Sequence, residues 1–163
     1  AMRRTHELLK AKLEDENIDM PLLVQGEGSK NDLLQRFRHH GNSILVGSQS
    51  FWEGVDVRGE ALSLVVIDKI PFAPPDDPVL SARIEQMKKE GRNAFMEYQL
   101  PRAVINVKQG AGRLIRDEND KGVLMMCDPR LISKPYGRRV WQSLPPMKRT
   151  RELQVVLDFF ANR

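Results

Sequence analysis

Short apolar runs alternate with segments of helical periodicity along this chain. The runs have the length of β-strands and lie near residues 22, 44, 62 and 122. The segments between them carry apolar residues three or four positions apart, as Leu33, Leu34 and Phe37 do. Because such alternation is typical of strand–helix–strand units, the sequence predicts an α/β fold with a mostly parallel sheet flanked by helices.

Capping residues and helix breakers set the limits of these elements. Ser29 is a predicted N-cap with Asp32 in the capping-box position, and Gly41 is the predicted end of that helix. Asn93 and Pro101 mark the starts of two later helices. The predicted helices span residues 3–17, 30–40, 79–90, 94–100, 101 towards 116, and 138–144. The predicted strands span 21–25, 43–47, 61–68 and 122–127.

A proline pair, Pro145-Pro146, is the clearest break in the pattern and divides residues 1–145 from a tail of residues 146–163. The tail is predicted to form a helix over residues 150–161. Its apolar stripe has the spacing i, i+3, i+4, i+7 and consists of Leu153, Val156, Leu157 and Phe160. This stripe either docks on the parent domain or is offered to a partner protein.

The amino-acid composition limits the classes of protein to which this chain can belong. With 163 residues, 40% of them hydrophobic and 29% charged, the chain is long enough for one domain with a substantial core. It contains no apolar run long enough to span a membrane and no visible signal peptide, so a cytoplasmic setting is expected. Cys127 is the only cysteine, which excludes an internal disulfide and a thiolate metal cluster, and no metal site is expected.

Charge is unevenly distributed. The net charge is +4, yet residues 130–163 hold eight Lys or Arg and two acidic residues, which leaves −2 for the rest of the chain. A basic C-terminal quarter suits a phosphate backbone or an acidic partner. An ordinary solvated surface is the alternative that composition leaves open.

The first segment with candidate chemistry is Gln109-Gly-Ala-Gly-Arg-Leu-Ile-Arg116. At about 100° per residue of helix, Gln109, Arg113 and Arg116 fall on one polar face within roughly 60° of one another. Gly110 and Gly112 remove bulk beside this face. Two arginines and a glutamine in such a place suit an anion such as a nucleotide phosphate, whereas a solvated helix end is the plainer interpretation.

The second segment is Ser48-Gln-Ser-Phe-Trp-Glu-Gly-Val-Asp56, which directly follows a strand. Open α/β sheets bind ligands at the carboxyl ends of their strands. Hydroxyl groups there can contact phosphate oxygens, and carboxylates can accept from ribose or arginine. For Phe51 and Trp52, burial in the core is the alternative to a functional role. No phosphate loop accompanies either segment, because Gly28-Ser29-Lys30 lacks the Walker A spacing.

Three segments, taken together, resemble the motifs of a known family. They are Phe-Trp-Glu-Gly-Val-Asp at 51–56, Asp-Lys-Ile-Pro-Phe at 68–72 and Gln-Gly-Ala-Gly-Arg-Leu-Ile-Arg at 109–116. They are similar to those of the DinG/XPD-type iron–sulfur DNA helicases of superfamily 2, and most closely to their bacterial YoaA-type branch. The first and last of these segments correspond to helicase motifs V and VI. The resemblance covers roughly residues 1–145 and only the second of the family's two motor domains.

The resemblance implies a RecA-like fold and, for the parent chain, an ATP-dependent 5′→3′ DNA helicase of DNA repair and replication. In this family ATP and Mg²⁺ lie between the two motors, and single-stranded DNA crosses both. The fragment alone is expected to be inactive, because the Walker A lysine and the Asp-Glu box of the first motor are absent. The family's 4Fe–4S cluster is likewise expected in the first motor, since Cys127 cannot supply its four thiolates.

The resemblance also implies roles for individual residues. Arg113 and Arg116 reach the γ-phosphate as arginine fingers, and Gln109 couples the nucleotide to DNA. The residues matched to the nucleotide site are Glu53, Gly54, Asp56, Gly110 and Gly112.

For DNA, the matched residues are Ser48 and Ser50, near the backbone. Phe51 or Trp52 is a candidate for base stacking.

A second hypothesis makes this chain a protein-interaction module. YoaA-type helicases pair with the chi subunit of DNA polymerase III, which implies a contact in the tail. The candidate contact residues are Lys148, Arg149, Thr150, Leu153, Val156, Leu157 and Phe160. A third possibility, a complete nucleotide-binding enzyme, is rejected because the sequence contains no phosphate loop.

Overall fold

The computed structural model describes residues 2–52, 62–115 and 120–162. Its α-helices are α1 (Met2–Asp15), α2 (Lys30–His40), α3 (Gln49–Trp52), α4 (Pro78–Lys89), α5 (Leu100–Ala111), α6 (Arg130–Ser133), α7 (Gly137–Gln142) and α8 (Leu153–Ala161). A π-helix (Phe95–Gln99) runs directly into α5, where the sequence predicts an α-helix. The strands are β1 (Leu22–Val24), β2 (Ile44–Val46), β3 (Leu64–Ile67) and β4 (Val123–Met126).

The strands form two parallel pairs, which confirms the predicted α/β fold with parallel strands. Strand β1 pairs with β2 from Leu22 opposite Ile44, and β3 pairs with β4 from Leu64 opposite Val123. Within the described residues the two pairs are separate sheets. Their parallel register brings the carboxyl ends of both strands of a pair to one edge, where α/β proteins place their ligands.

The first core lies between β1 and α2. Ser29 caps α2 as predicted, because its hydroxyl accepts the Asp32 backbone N–H at 3.1 Å, and Gly41 ends the helix with φ +67°. The buried cluster consists of Leu23, Leu33, Leu34, Phe37 and Phe51. Residues three or four apart on α2 therefore face the strands, as the periodicity predicts.

The second core joins β3 to α5 and α7. Its buried members are Ile67, Ile70, Leu100, Ala103, Val107 and Val140. The strand predicted over residues 122–127 is shorter, Val123–Met126, and its residue Met125 is 50% exposed. Met125 lies opposite Val66, also 50% exposed, so one face of this pair is uncovered by the described residues.

Asn93 caps the helical segment before α5, as predicted. Its side chain accepts the Met96 backbone N–H at 3.0 Å, while Glu97 accepts the Asn93 N–H at 3.0 Å. Among the described residues, no helix combines the length and the apolar character needed to cross a membrane.

Candidate functional site

The helix that carries the motif VI segment ends earlier than predicted. Helix α5 stops at Ala111, and the next backbone bonds run from Arg113 N to Gly110 O and from Leu114 N to Ala111 O. These bonds span three residues, so the chain tightens into a turn. The prediction of one continuous helical face through Arg113 is therefore wrong. Glycine suits position 112, since an added Cβ there would lie 3.2 Å from the Lys108 carbonyl oxygen.

Leu114 fixes this turn in the protein. Its side chain is buried and lies so close to Gly122 that an added Cβ at 122 would overlap it and approach the Ser63 carbonyl oxygen at 3.1 Å. Gly122 and Ser63 precede β4 and β3. The turn after α5 is thus anchored at the amino ends of this strand pair by tertiary packing, which a helical projection of the sequence does not include.

Arg113 sits in the turn with part of its guanidinium enclosed. Its Nε atom is buried and has no hydrogen-bond partner among the described residues. A buried polar group left unsatisfied costs about 1–3 kcal/mol, so such a group is rare in a folded protein. Gln109, one turn earlier, is exposed. The structure therefore combines a buried, unpartnered Arg113 Nε with an exposed Gln109 one turn earlier.

At the carboxyl end of the other strand pair, the predicted serines form a hydrogen-bonded group with a residue that sequence reasoning missed. Gln25 Oε1 accepts the Ser48 N–H at 2.7 Å and the Ser48 hydroxyl at 2.9 Å. The Ser48 and Ser50 Oγ atoms are 2.8 Å apart. Gln25 follows β1 and Ser48 follows β2, so their position after neighbouring parallel strands is the signal that identifies the pair.

The predicted loop after β2 instead contains one helical turn, Gln49–Trp52. Phe51 in this turn is 6% exposed and belongs to the first core, with the Lys30 ammonium 5.4 Å from its ring centroid. Phe51 therefore takes the core role that the sequence left open, which leaves Trp52 as the candidate for base stacking. Its burial follows from the short path between β2 and α3, which turns the ring onto Leu33 and Phe37.

Several predicted site residues cannot be placed. Glu53, Gly54, Asp56 and Arg116 lie outside the described residues, and the side chain of Trp52 is not described. Their assignments stay predictions. Within the described residues, no group of three or more His, Cys, Asp or Glu side chains is arranged to hold a metal ion.

A second arginine near the sheet edge, Arg130, is paired with a buried carboxylate. Its guanidinium donates to Asp128, with Nη2 to Oδ2 at 2.6 Å and Nε to Oδ1 at 2.9 Å, and Asp128 Oδ2 also accepts the Ile70 N–H at 2.8 Å. Asp128 is 3% exposed. The Arg130 hydrogen bonds, helped by the Ile70 N–H, lower the pKa of Asp128 to about 2. Asp128, paired with Arg130, thus acts as a clamp between the segments after β3 and β4 through its bond to the Ile70 N–H.

The tail forms a helix that starts at Leu153, three residues later than predicted. Thr150 instead accepts the Glu152 backbone N–H at 3.0 Å, and Arg149 lies over the Trp141 ring with 4.2 Å to its centroid. No residue of α8 is buried. In the predicted stripe, Leu153 is 67% exposed and Leu157 is 51% exposed. The apolar stripe is therefore not packed into the described part of the domain.

Comparison with known proteins places these features in a family. Residues 1–147 match the family model of the helicase C-terminal domain. The chain is 56% identical over 142 residues to the ATP-dependent DNA helicase YoaA of Escherichia coli, which covers 87% of this chain and 22% of that protein. The Haemophilus influenzae YoaA is 51% identical over 148 residues, covering 91% of this chain and 23% of that protein.

A more distant relative, the ATP-dependent helicase DinG of Mycobacterium tuberculosis, is 42% identical over 135 residues, covering 83% of this chain and 20% of that protein. The chain thus spans about a fifth of the length of these relatives. The family match covers both strand pairs and the turn that holds Arg113. This chain belongs to the DinG/XPD-type helicases, as a helicase C-terminal domain.

Proposed function

We propose that this domain is the second, RecA-like motor of an ATP-dependent DNA helicase and that Arg113 is one of its arginine fingers. The observation that carries the proposal is the buried Arg113 Nε atom, which has no partner in the described part of the chain. A buried guanidinium nitrogen without a partner gains a charge-assisted hydrogen bond when an oxyanion reaches it. The names of the relatives support ATP as the source of that anion.

In this proposal the nucleotide is held by the first motor of the parent chain, with Mg²⁺, and this domain closes over it. Arg113 and Arg116 donate to the γ-phosphate as negative charge develops during transfer, the role of arginine fingers. Gln109 links the nucleotide to the DNA path, and Glu53 and Asp56 accept from ribose or from the arginines. The 163-residue chain alone hydrolyses no ATP, since its sequence has no Walker A motif.

The same proposal assigns single-stranded DNA to the carboxyl edge of β1 and β2. Gln25 holds Ser48 through two hydrogen bonds, and Ser48 is bonded to Ser50, so the hydroxyls are oriented before DNA binds. Since phosphate oxygens only accept, Ser50 exchanges its hydrogen bond to Ser48 for one to the strand when DNA binds. Trp52 is the remaining candidate for base stacking. Opening and closing of the two motors then moves the strand, with 5′→3′ polarity. The 4Fe–4S cluster of the parent chain belongs to its first motor, because one cysteine cannot ligate it.

The test is DNA-stimulated ATPase activity of a full-length helicase that carries this domain. Arg113→Ala and Arg116→Ala should each lower the rate by about 10³- to 10⁵-fold, the usual effect of losing an arginine finger. Arg113→Lys should restore little, because lysine keeps the charge and loses the planar fork. Arg36→Ala is the control, since Arg36 is exposed and its pair with Asp32, at 3.7 Å, is exposed as well. Wild-type turnover of Arg113→Ala and Arg116→Ala would contradict the assignment.

A second function, supported by the exposed stripe of α8, is docking of the helicase onto the chi subunit of DNA polymerase III. Residues 146–163 then form a separate binding element beyond the motor domain of residues 1–145. Leu153 and Leu157 supply apolar contact area, and the basic residues before the helix supply charge. Helices with one exposed apolar face commonly dock into a groove of a partner.

Calorimetry with purified chi subunit tests this function. Leu153→Ser with Leu157→Ser should weaken binding by at least about tenfold, because apolar anchors of this kind contribute about 1 kcal/mol or more each. Gln154→Ser on the polar face of the same helix should bind as the wild type does. Deletion of 147–163 should abolish binding and preserve ATPase activity. Undiminished binding after the deletion would refute the tail as the interface.

A further inference from the structure

A basic and aromatic cluster, outside both segments that resemble helicase motifs V and VI, lies on the surface formed by α4, the π-helix and α5. Arg83 of α4 and Arg102 of α5 both lie against the ring of Tyr98, with their guanidinium carbons 4.8 Å and 5.7 Å from its centroid. Arg102 Nη1 also donates to the Tyr98 hydroxyl at 2.8 Å. Hydrogen bonding from Arg83 and the charges of both arginines lower the pKa of Tyr98. One tyrosine thus holds two cations side by side.

These two cations lack the counter-ions that their neighbours have. Arg92 donates to Glu97 at 2.8 Å and lies 3.4 Å from Glu90, and Lys89 lies 3.2 Å from Glu85. Among the described residues, neither Arg83 nor Arg102 is within ion-pair distance of a carboxylate. Both arginines are exposed. The positive charge of this cluster is therefore accessible, whereas that of the adjacent surface is paired.

The cluster lies towards the carboxyl edge of β3 and β4. Phe72, just after β3, contacts Phe95 of the π-helix with ring centroids 5.6 Å apart. The far end of α5 leads to Leu114 at the amino edge, so α5 runs antiparallel to the strands. Helix α3, which carries Ser50, contacts α5, which carries Arg102. The arginine–tyrosine cluster and the pair Ser48 and Ser50 thus both lie towards carboxyl ends of strands. Arg102 and Ser50 are carried by helices that contact each other.

We propose that Arg83, Tyr98 and Arg102 form a second contact for single-stranded DNA, which binds backbone phosphates. Both guanidiniums lie within 6 Å of the tyrosine ring centroid, so the cluster presents positive charge. Arginine pairs suit phosphate, because the planar fork donates two parallel hydrogen bonds to it. The proposal rests on the proposed function, since it takes DNA as the anion, and it adds a contact independent of the serines.

The test is binding of a fluorescent oligothymidylate to the full-length helicase over a salt series, with nucleotide absent. Each phosphate neutralised on a single strand contributes about 0.7 to the slope of log affinity against log salt. Arg83→Gln with Arg102→Gln should therefore reduce this slope by about 1.4. Lys89→Gln with Arg92→Gln removes the same net charge from paired cations nearby and should leave the slope unchanged. Thermal unfolding of both double variants checks that the fold is intact.

The outcomes separate the two proposals. A wild-type protein that fails to bind oligothymidylate overturns the proposed function itself. Two outcomes overturn only the phosphate contact. In the first, Arg83→Gln/Arg102→Gln binds DNA normally with an unchanged salt slope, and in the second, both double variants lose the same amount of slope. If the Arg83/Arg102 variant binds polyglutamate more weakly while its DNA binding is unchanged, the cluster binds an acidic protein segment. This result would overturn the proposal as well.

Discussion

Arg130 and Arg113 show two ways in which one fold uses the same side chain. Arg130 donates from Nε and Nη2 to the buried carboxylate of Asp128, so its charge is paired within the domain. Arg113 is held in a turn with its Nε buried and no partner among the described residues. The first arrangement stabilises the protein, and the second leaves a guanidinium for a ligand. The contrast supports the proposal that Arg130 acts in structure and Arg113 in chemistry.

Removing the Asp128 carboxylate should produce the largest loss of stability in this comparison. Asp128→Ala leaves the Ile70 N–H buried without an acceptor and Arg130 without its counter-ion, which together cost about 3 kcal/mol. Urea unfolding followed by circular dichroism measures this loss. If the free energy of unfolding stays within about 0.5 kcal/mol of the wild type, the pair is not a structural clamp.

The Asp128 carboxylate should also make the stability of the domain depend on pH. The pKa of Asp128 is lowered from 3.8 to about 2 in the folded protein. The ionised carboxylate therefore contributes fully to stability at pH values above its pKa in the unfolded chain, and this contribution is lost as the pH falls through its pKa in the folded protein. That contribution is about 2 kcal/mol. The stability difference between wild type and Asp128→Asn should therefore shrink between about pH 5 and pH 2. A difference that is constant over this range would show that ionisation of Asp128 contributes nothing.

The smallest effect is expected at an exposed pair. Glu85 and Lys89 are 3.2 Å apart with both side chains about two-thirds exposed, so solvent screens their attraction. Glu85→Gln should change the free energy of unfolding by less than about 0.5 kcal/mol. A loss comparable to that of Asp128→Ala would mean that burial is not what distinguishes the clamp from a surface pair. The same urea titration provides the measurement.

Features set by local chemistry were predictable from the sequence. The Ser29 cap and the end of α2 at Gly41 depend on residues within one turn of the helix, and both are confirmed. The alternation of apolar runs and helices likewise predicts the parallel strands correctly. These properties follow from capping and periodicity, which a single sequence contains.

Features set by packing between distant segments were not predictable. Helix α5 ends before Arg113, and the turn after it is anchored by Leu114 against Gly122 and the start of β3, a contact that helical periodicity omits. Phe51 is buried because β2 and α3 place it over α2. Gln25 gains its partner only when β1 pairs with β2, and the arginine–tyrosine cluster requires three helices to meet.

The most direct test of the central claim is nucleotide binding to Arg113→Ala in a full-length helicase. An arginine that contacts the γ-phosphate adds affinity for a non-hydrolysable ATP analogue and none for ADP. Loss of a charged hydrogen bond of about 1.5–3 kcal/mol should weaken analogue binding by about 10- to 150-fold. ADP affinity should stay unchanged, with Arg36→Ala as the matched control. Equal weakening for both nucleotides, or none for either, would contradict the account.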